Sequence, residues 1–191
     1  MNAYDFDKTI YDGDSTADFY LFSIKRHKKI ITLLPSLLCA FIKFYVFKKG
    51  TKTQFKEKMY RFLNYCDLNK DLDDFWSINK HKIKKFYLSN KKSDDVIISA
   101  SPRFLLEPIC NHLGIKTLIA SEVDCKNGKY TGVNCHGEEK VRRFYSVFDS
   151  EIKVNEFYSD SYSDEPMAKI AKKAFMVKKD KINNWQFKQN K

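Results

Sequence analysis

The sequence predicts an α/β protein: a mostly parallel sheet with a long helical segment inserted after its first strand. Three observations carry this. Short apolar runs recur at residues 96–98, 118–120 and 174–177, too brief for helices and suited to strands covered on both faces, and V-N-E-F-Y at 154–158 reads as a further strand. Stripes at helical spacing follow two of them, Leu105, Leu106, Ile109 and Leu113 in one case, Val141, Phe144, Tyr145 and Phe148 in the other. Between the first apolar lead-in and residue 92 the pattern is helical throughout, with no strand signal.

The first element is Ala3, Tyr4 and Phe6, interleaved with Asp5 and Asp7, with Thr9 two residues on. Residues i and i+2 of a strand point the same way, so Asp5 and Asp7 leave the strand end together. Adjacent carboxylates repel unless a cation or a shared proton lies between them, and a hard divalent ion such as Mg²⁺ suits oxygen ligands. A charged loop after a strand would read the same way locally.

The helical block follows. Residues 30–47 form the most apolar run, interrupted by Pro35, Thr32, Ser36 and Lys43. Its uncharged part falls short of the roughly 20 residues of a membrane span, so the expectation is a buried helix of a small bundle. The alternative is an interfacial helix, because Lys25, Arg26, Lys28 and Lys29 precede the run and Lys48, Lys49 and Lys52 follow it. Gly50 breaks the pattern; Phe55, Met59, Phe62, Leu63 and Cys66 then form an amphipathic stripe. Trp76, Ile83, Phe86 and Tyr87 predict a last helix ending near Lys92. From Lys25 to Arg61 the only acid is Glu57, against eleven Lys and Arg.

Residues 96–98 predict a strand, Ser101 an N-cap and Pro102 a first helical residue, with Gly114 as the helix stop. Strand, tight turn and helix N-terminus is a geometry that binds phosphate. Residues 118–120 predict another strand, Asn127-Gly128 a hairpin, and Gly137-Glu138-Glu139-Lys140 a helix start, with Arg142 and Arg143 on its solvated face. Residues 154–158 lead into S-D-S-Y-S-D-E-P-M, an acidic turn carrying Asp160 and Asp164. A short strand at 174–177 closes the fold before a solvated Lys-rich tail. His112 and His136 sit in no ligand-spaced pair.

Taken together, D-F-D-K-T at residues 5–9, I-I-S-A-S-P at 97–102, Lys140 after the Asn127-Gly128 turn, and Y-S-D-S-Y-S-D-E-P-M resemble the four ordered motifs of the haloacid dehalogenase superfamily of phosphohydrolases. The phosphoserine-phosphatase-like branch is the most similar. Lys8 departs from the glycine often found there. The resemblance implies a three-layer α/β/α core from residues 1–12 and 93–191, and a helical cap from 13–92. It implies Mg²⁺-dependent phosphomonoester hydrolysis in which Asp5 attacks phosphorus and Asp7 acts as general acid and then base. Thr9, Ser99, Ala100 and Lys140 would bind the phosphoryl group, and Asp5, Asp7, Asp160 and Asp164 would serve the metal.

Length and composition bound the rest. The 191 residues, 43% hydrophobic and with six Gly and four Pro, suit one core with an insertion rather than linkers. Five Cys without a C-x-x-C pair predict free thiols, and the polar N-terminus fits no leader, so the expected location is cytoplasmic or at the inner face of the membrane. The net charge of +11 suggests an anionic partner. The expected one is a small phosphorylated substrate such as phosphoserine. A lipid phosphomonoester, as in the type C phosphatidylglycerophosphate phosphatases, is the alternative, with contact to an anionic membrane; a non-catalytic RNA- or membrane-binding module is a third reading.

Overall fold

The computed structural model describes residues 1–149 and 151–187. Its sheet holds β1 (Ala3–Tyr4), β2 (Val96–Pro102), β3 (Thr117–Ser121), β4 (Val154–Ser159), β5 (Ala171–Lys178) and β6 (Lys181–Asn184). The spatial order is β3-β2-β1-β4-β5-β6, parallel except for β6, which runs antiparallel to β5. Parallel neighbours need crossovers, and helices supply them. Between β1 and β2 lie α1 (Ser15–Arg26), α2 (Leu34–Phe41), α3 (Lys52–Tyr60), α4 (Leu68–Asn79) and α5 (Lys85–Asn90). After them come α6 (Arg103–His112), α7 (Glu138–Val147) and α8 (Glu165–Ile170), each leading into the next parallel strand.

Side-chain alternation along the strands divides the core in two. Tyr4 and Ile97 face one side with Leu105, Leu106 and Ile109 of α6 and with Phe19, Phe75 and Trp76 of the inserted helices. Ala3, Val96 and Ile98 face the other with Phe144 of α7 and Met167 of α8. Both faces are covered, so the architecture is a three-layer α/β/α sandwich. Trp76 ties α4 to α6 by donating from Nε1 to the Leu105 carbonyl at 2.7 Å.

Several expectations are corrected. The run 30–47 is not a buried helix: Lys28–Val46 is 6% buried, built from a 3₁₀ segment, α2 and a π turn, and only Ile30 of it lies in the core. Residues 76–87 are not one helix, because Ile83 bridges Tyr11 and the Lys84 N–H donates to the Ile10 carbonyl at 2.8 Å. Ser101 and Pro102 extend β2, and Pro102, not Ser101, occupies the N-cap of α6. The Asn127-Gly128 turn closes without a ladder; one bridge, Val123 with Tyr130, joins its arms. Arg143 is not solvated but donates to the Ala120 carbonyl at 2.7 Å. The tail beyond 177 is exposed as expected apart from Trp185, but it also folds back as β6 and buries Trp185 against Phe157; its last residues, 188–191, lie outside the described residues. All five cysteines are free, as expected.

Candidate active site

The chain reverses its winding at β1, whose neighbours are β2 on one side and β4 on the other. The carboxyl ends of those strands bound a crevice where open α/β sheets bind ligands. A cavity of about 330 Å³ lies there, lined by Asp5, Asp7, Ser99, Ala100, Lys140, Asp160 and Asp164, all expected site residues.

Each is held from a different element. Asp5 follows β1 directly, its N–H donating to the Tyr158 carbonyl of β4 at 2.9 Å. Its Oδ1 accepts from Lys140 Nζ at 2.8 Å, and the same ammonium donates to Asp164 Oδ2 at 2.7 Å. Lys140 is reached because Gly137, at φ 62°, turns the chain into α7 and brings the first turn beneath the sheet end. Ser159 adds a 2.7 Å bond to Asp164. Asp7 is oriented separately: Oδ1 accepts from the Ser15 N–H at 2.7 Å, and Oδ2 accepts from the Ser101 hydroxyl, which Thr16 supports at 3.1 Å.

Burial sets the electrostatics. It pushes the Asp5 carboxyl up to about 7, with Lys140 pulling back and Asp164 adding to the rise. Asp7 is pushed up to about 6, by burial first and then by Asp14. Asp160 is raised, again chiefly by burial, with Lys8 opposing. Burial works against the Lys140 ammonium, but Asp5 and Asp164 outweigh it and the net shift is upward. The cavity thus holds more buried carboxylate than its one buried ammonium can balance. Such an all-oxygen donor set fits a hard divalent cation.

Thr9 stands apart from the other expected phosphate-binding residues. It is fully buried and absent from the cavity wall, and its hydroxyl accepts the Asp160 N–H at 3.0 Å, tying the loop after β1 to the end of β4. The cavity also takes residues to which the sequence assigned no place in the site, among them Lys8, Thr16, Ser101, Ser161, Ser163 and His136. Ser101 had a signal, since it stands two residues beyond Ser99 on the same strand. Lys8 had one too; it adopts φ 58°, where glycine is favoured, and exposes its side chain at the cavity. Tyr45, Phe55, Lys56 and Met59 of the inserted helices complete the wall and had none. His112 lies away from the cavity wall.

Among the described residues the trio whose metal-type donors lie within 4.8 Å of one another is His27, Cys66 and Asp71, away from this cavity. Asp71 there already accepts from His27 Nε2 at 2.7 Å and faces Arg26 Nε at 3.0 Å.

Comparison with known proteins adds the following. A profile described as haloacid dehalogenase-like hydrolase matches residues 3–169. Protein CicA of Caulobacter vibrioides is 33% identical over 81 residues, 40% of this chain and 36% of that protein. A probable phosphatase of Mycobacterium tuberculosis is 34% identical over 94 residues, 46% of this chain and 33% of that protein. The match therefore spans about a third of the length of these curated relatives. A Bordetella pertussis protein of unknown function superposes with a TM-score of 0.69 at 20% identity, covering 91% of this chain and 87% of that one. A phosphoserine phosphatase structure, an analogue of its phospho-aspartyl intermediate, gives 0.51 at 16%, covering 90% and 83%. These structural likenesses carry the fold.

Proposed function

The chain belongs to the haloacid dehalogenase-like hydrolases, and on that premise we propose that it is a phosphatase, a Mg²⁺-dependent phosphomonoesterase working through an aspartyl-phosphate. The observation that carries the reading is Asp5 bound at 2.8 Å by a fully buried Lys140, beside a second carboxylate, Asp7, with its own separate partners. Two carboxylates in different environments suit two roles.

In this reading the Asp5 carboxylate attacks phosphorus while Asp7 protonates the leaving oxygen; Asp7 then takes a proton from the water that cleaves the acyl phosphate. Burial raises both carboxyls, so the partners and not the shifts divide the roles: the Lys140 ammonium favours the ionised form of Asp5, while Asp7, held by the Ser15 N–H and the Ser101 hydroxyl, can carry a proton and release it. Lys140 and Ser99 face the phosphoryl oxygens, and Lys140 offsets the charge that gathers on them. Mg²⁺ would be held by the Asp5 and Asp160 carboxylates and the Asp7 backbone carbonyl, with Asp164 orienting the loop; when bound, it supplies Lewis-acid stabilisation of the phosphoryl group. Residues 13–92 act as a cap on a core of 1–12 and 93–191; Tyr45, Phe55, Lys56 and Met59 on the cavity wall support that covering role, while Phe19, Phe75 and Trp76 pack the same segment into the core. Small phosphorylated metabolites such as phosphoserine are the substrate class this reading starts from.

Phosphate release from an aryl phosphate and phosphoserine, with and without Mg²⁺, tests it. Asp5→Asn should lower turnover by a factor on the order of 10³ or more while far-UV circular dichroism stays unchanged. Undiminished turnover in that variant would remove Asp5 as the nucleophile.

A further inference from the structure

We propose that the outer face of residues 28–49 docks in the plane of an anionic membrane surface, with the catalytic cavity opening beside it. The segment Lys28–Val46 has a mean hydropathy of 1.7 and is 6% buried. Its inner positions Leu33, Leu37, Ala40 and Phe44 are half-buried, with Phe44 stacked on Phe55 of α3 at 6.1 Å. A helix on the surface of a soluble protein would carry polar residues on its other face. Here that face carries Leu34, Leu38, Phe41, Tyr45, Val46 and Phe47, between 40% and 65% exposed. So wide an uncovered apolar patch marks an interaction surface.

Charge selects the occupant. No Asp or Glu occurs between Asp18 and Glu57, while exposed Lys25, Lys28 and Lys29 lie at one end of the segment and exposed Lys43, Lys48 and Lys49 at the other. Beside the patch, a hollow of about 490 Å³ is lined by Lys43, Lys49, Lys58, Arg61 and Lys129, with Glu57 its single acid. Apolar side chains rimmed by lysines match a bilayer of acyl chains beneath anionic headgroups. A second copy of this chain would instead set these lysines against each other.

The fold also selects the orientation. Phe19 of α1 and Phe62, just after α3, are buried in the same core and meet at 5.7 Å. Both ends of the segment are therefore anchored to one body on one side, so it cannot cross a bilayer in a single pass without dismantling that core. It lies along the interface. Tyr45 is exposed on this surface and also lines the cavity, and Phe55 lines both the cavity and the apolar groove of Leu34, Leu38 and Phe41, so a docked molecule opens its cavity at headgroup level. Resting on the phosphatase reading above, this assigns the substrate class as a phosphomonoester carried by an amphiphile.

Two separate measurements test this on the full chain. Sedimentation with vesicles reads docking without reference to catalysis. At physiological salt the protein should pellet with mixed phosphatidylcholine–phosphatidylglycerol vesicles and partition about tenfold less onto phosphatidylcholine alone. The pair Leu38→Glu and Phe47→Glu, both exposed and outside the cavity wall, should cut partition to the anionic vesicles at least about tenfold while leaving the melting temperature and aryl phosphate turnover unchanged. Equal recovery in the supernatant with and without vesicles overturns the proposal, as does a stable dimer by sedimentation velocity that the same two substitutions dissolve. Turnover of a soluble aryl phosphate is read in parallel. Its absence with docking intact would sink the phosphatase reading and the substrate class but not the surface; turnover without docking would sink the surface and the substrate class and leave the phosphatase reading standing.

Discussion

At the scale of single residues, the site is a balance between four carboxylates and one buried lysine. Removing that lysine should be costly, because Asp5 and Asp164 would keep their burial and lose their shared partner. Lys140→Met is expected to destabilise the fold by about 3–5 kcal/mol in urea unfolding, as when one member of a buried ion pair is deleted. Asp7 predicts the opposite sign. Its carboxyl rises from an ordinary 3.8 to about 6 on folding, so the folded state holds that proton more tightly than the unfolded chain does. Stability is therefore undiminished below 3.8, and the penalty for ionising Asp7 is complete above about 6. Asp7→Asn can still accept from the Ser15 N–H, so the variant should exceed the parent at neutral pH by about 1–2 kcal/mol, roughly 2–8 °C. Melting curves from pH 4 to pH 7 check this through the gap, which should close as the pH falls through that window. Asp5, Asp7 and Asp160 were legible because carboxylates at strand ends follow from two-residue alternation and a short turn. The orientation of Thr9 was not legible, because a hydroxyl near the motif can face either the cavity or a neighbouring loop, and here it accepts the Asp160 N–H from that loop.

At the scale of elements, sequence periodicity located the strands, while tertiary contacts decided where helices stopped. The helical stripe through Ile83 breaks because that residue pairs with Tyr11, a partner 72 positions away that no local pattern shows. Asn127-Gly128 was legible as a turn for the usual conformational reason, with Gly128 at φ 73°. A second reason for the glycine was hidden. A Cβ there would lie 2.8 Å from the carbonyl carbon of Tyr60, where α3 ends against the turn. Gly128→Ala should therefore cost about 2–3 kcal/mol, more than left-handed strain alone, and differential scanning calorimetry would measure it. A loss no larger than about 1 kcal/mol would mean that the turn moves freely away from α3.

At the scale of the whole molecule, charge and apolar surface are distributed unevenly. Four carboxylates gather at the carboxyl ends of β1 and β4, and a run of basic residues without a single acid, from Lys25 to Lys56, spans the exposed segment at 28–49. The +11 net charge was visible from composition, but composition does not say where charge collects. Sequence by itself determined the α/β class, the order of the strand-end acids, the helical character of residues 14–92 and the free cysteines, because each rests on local alternation, spacing or residue type. Only the tertiary structure decided that Lys140 reaches Asp5 from 135 positions away, that Ser101 and Ser15 orient Asp7, and that the most apolar run lies outside the core. The physical reason is that hydrophobicity states what leaves water, not what receives it: residues 30–47 read as core because they are apolar, and the core was already filled by Phe19, Phe62, Phe75 and Trp76.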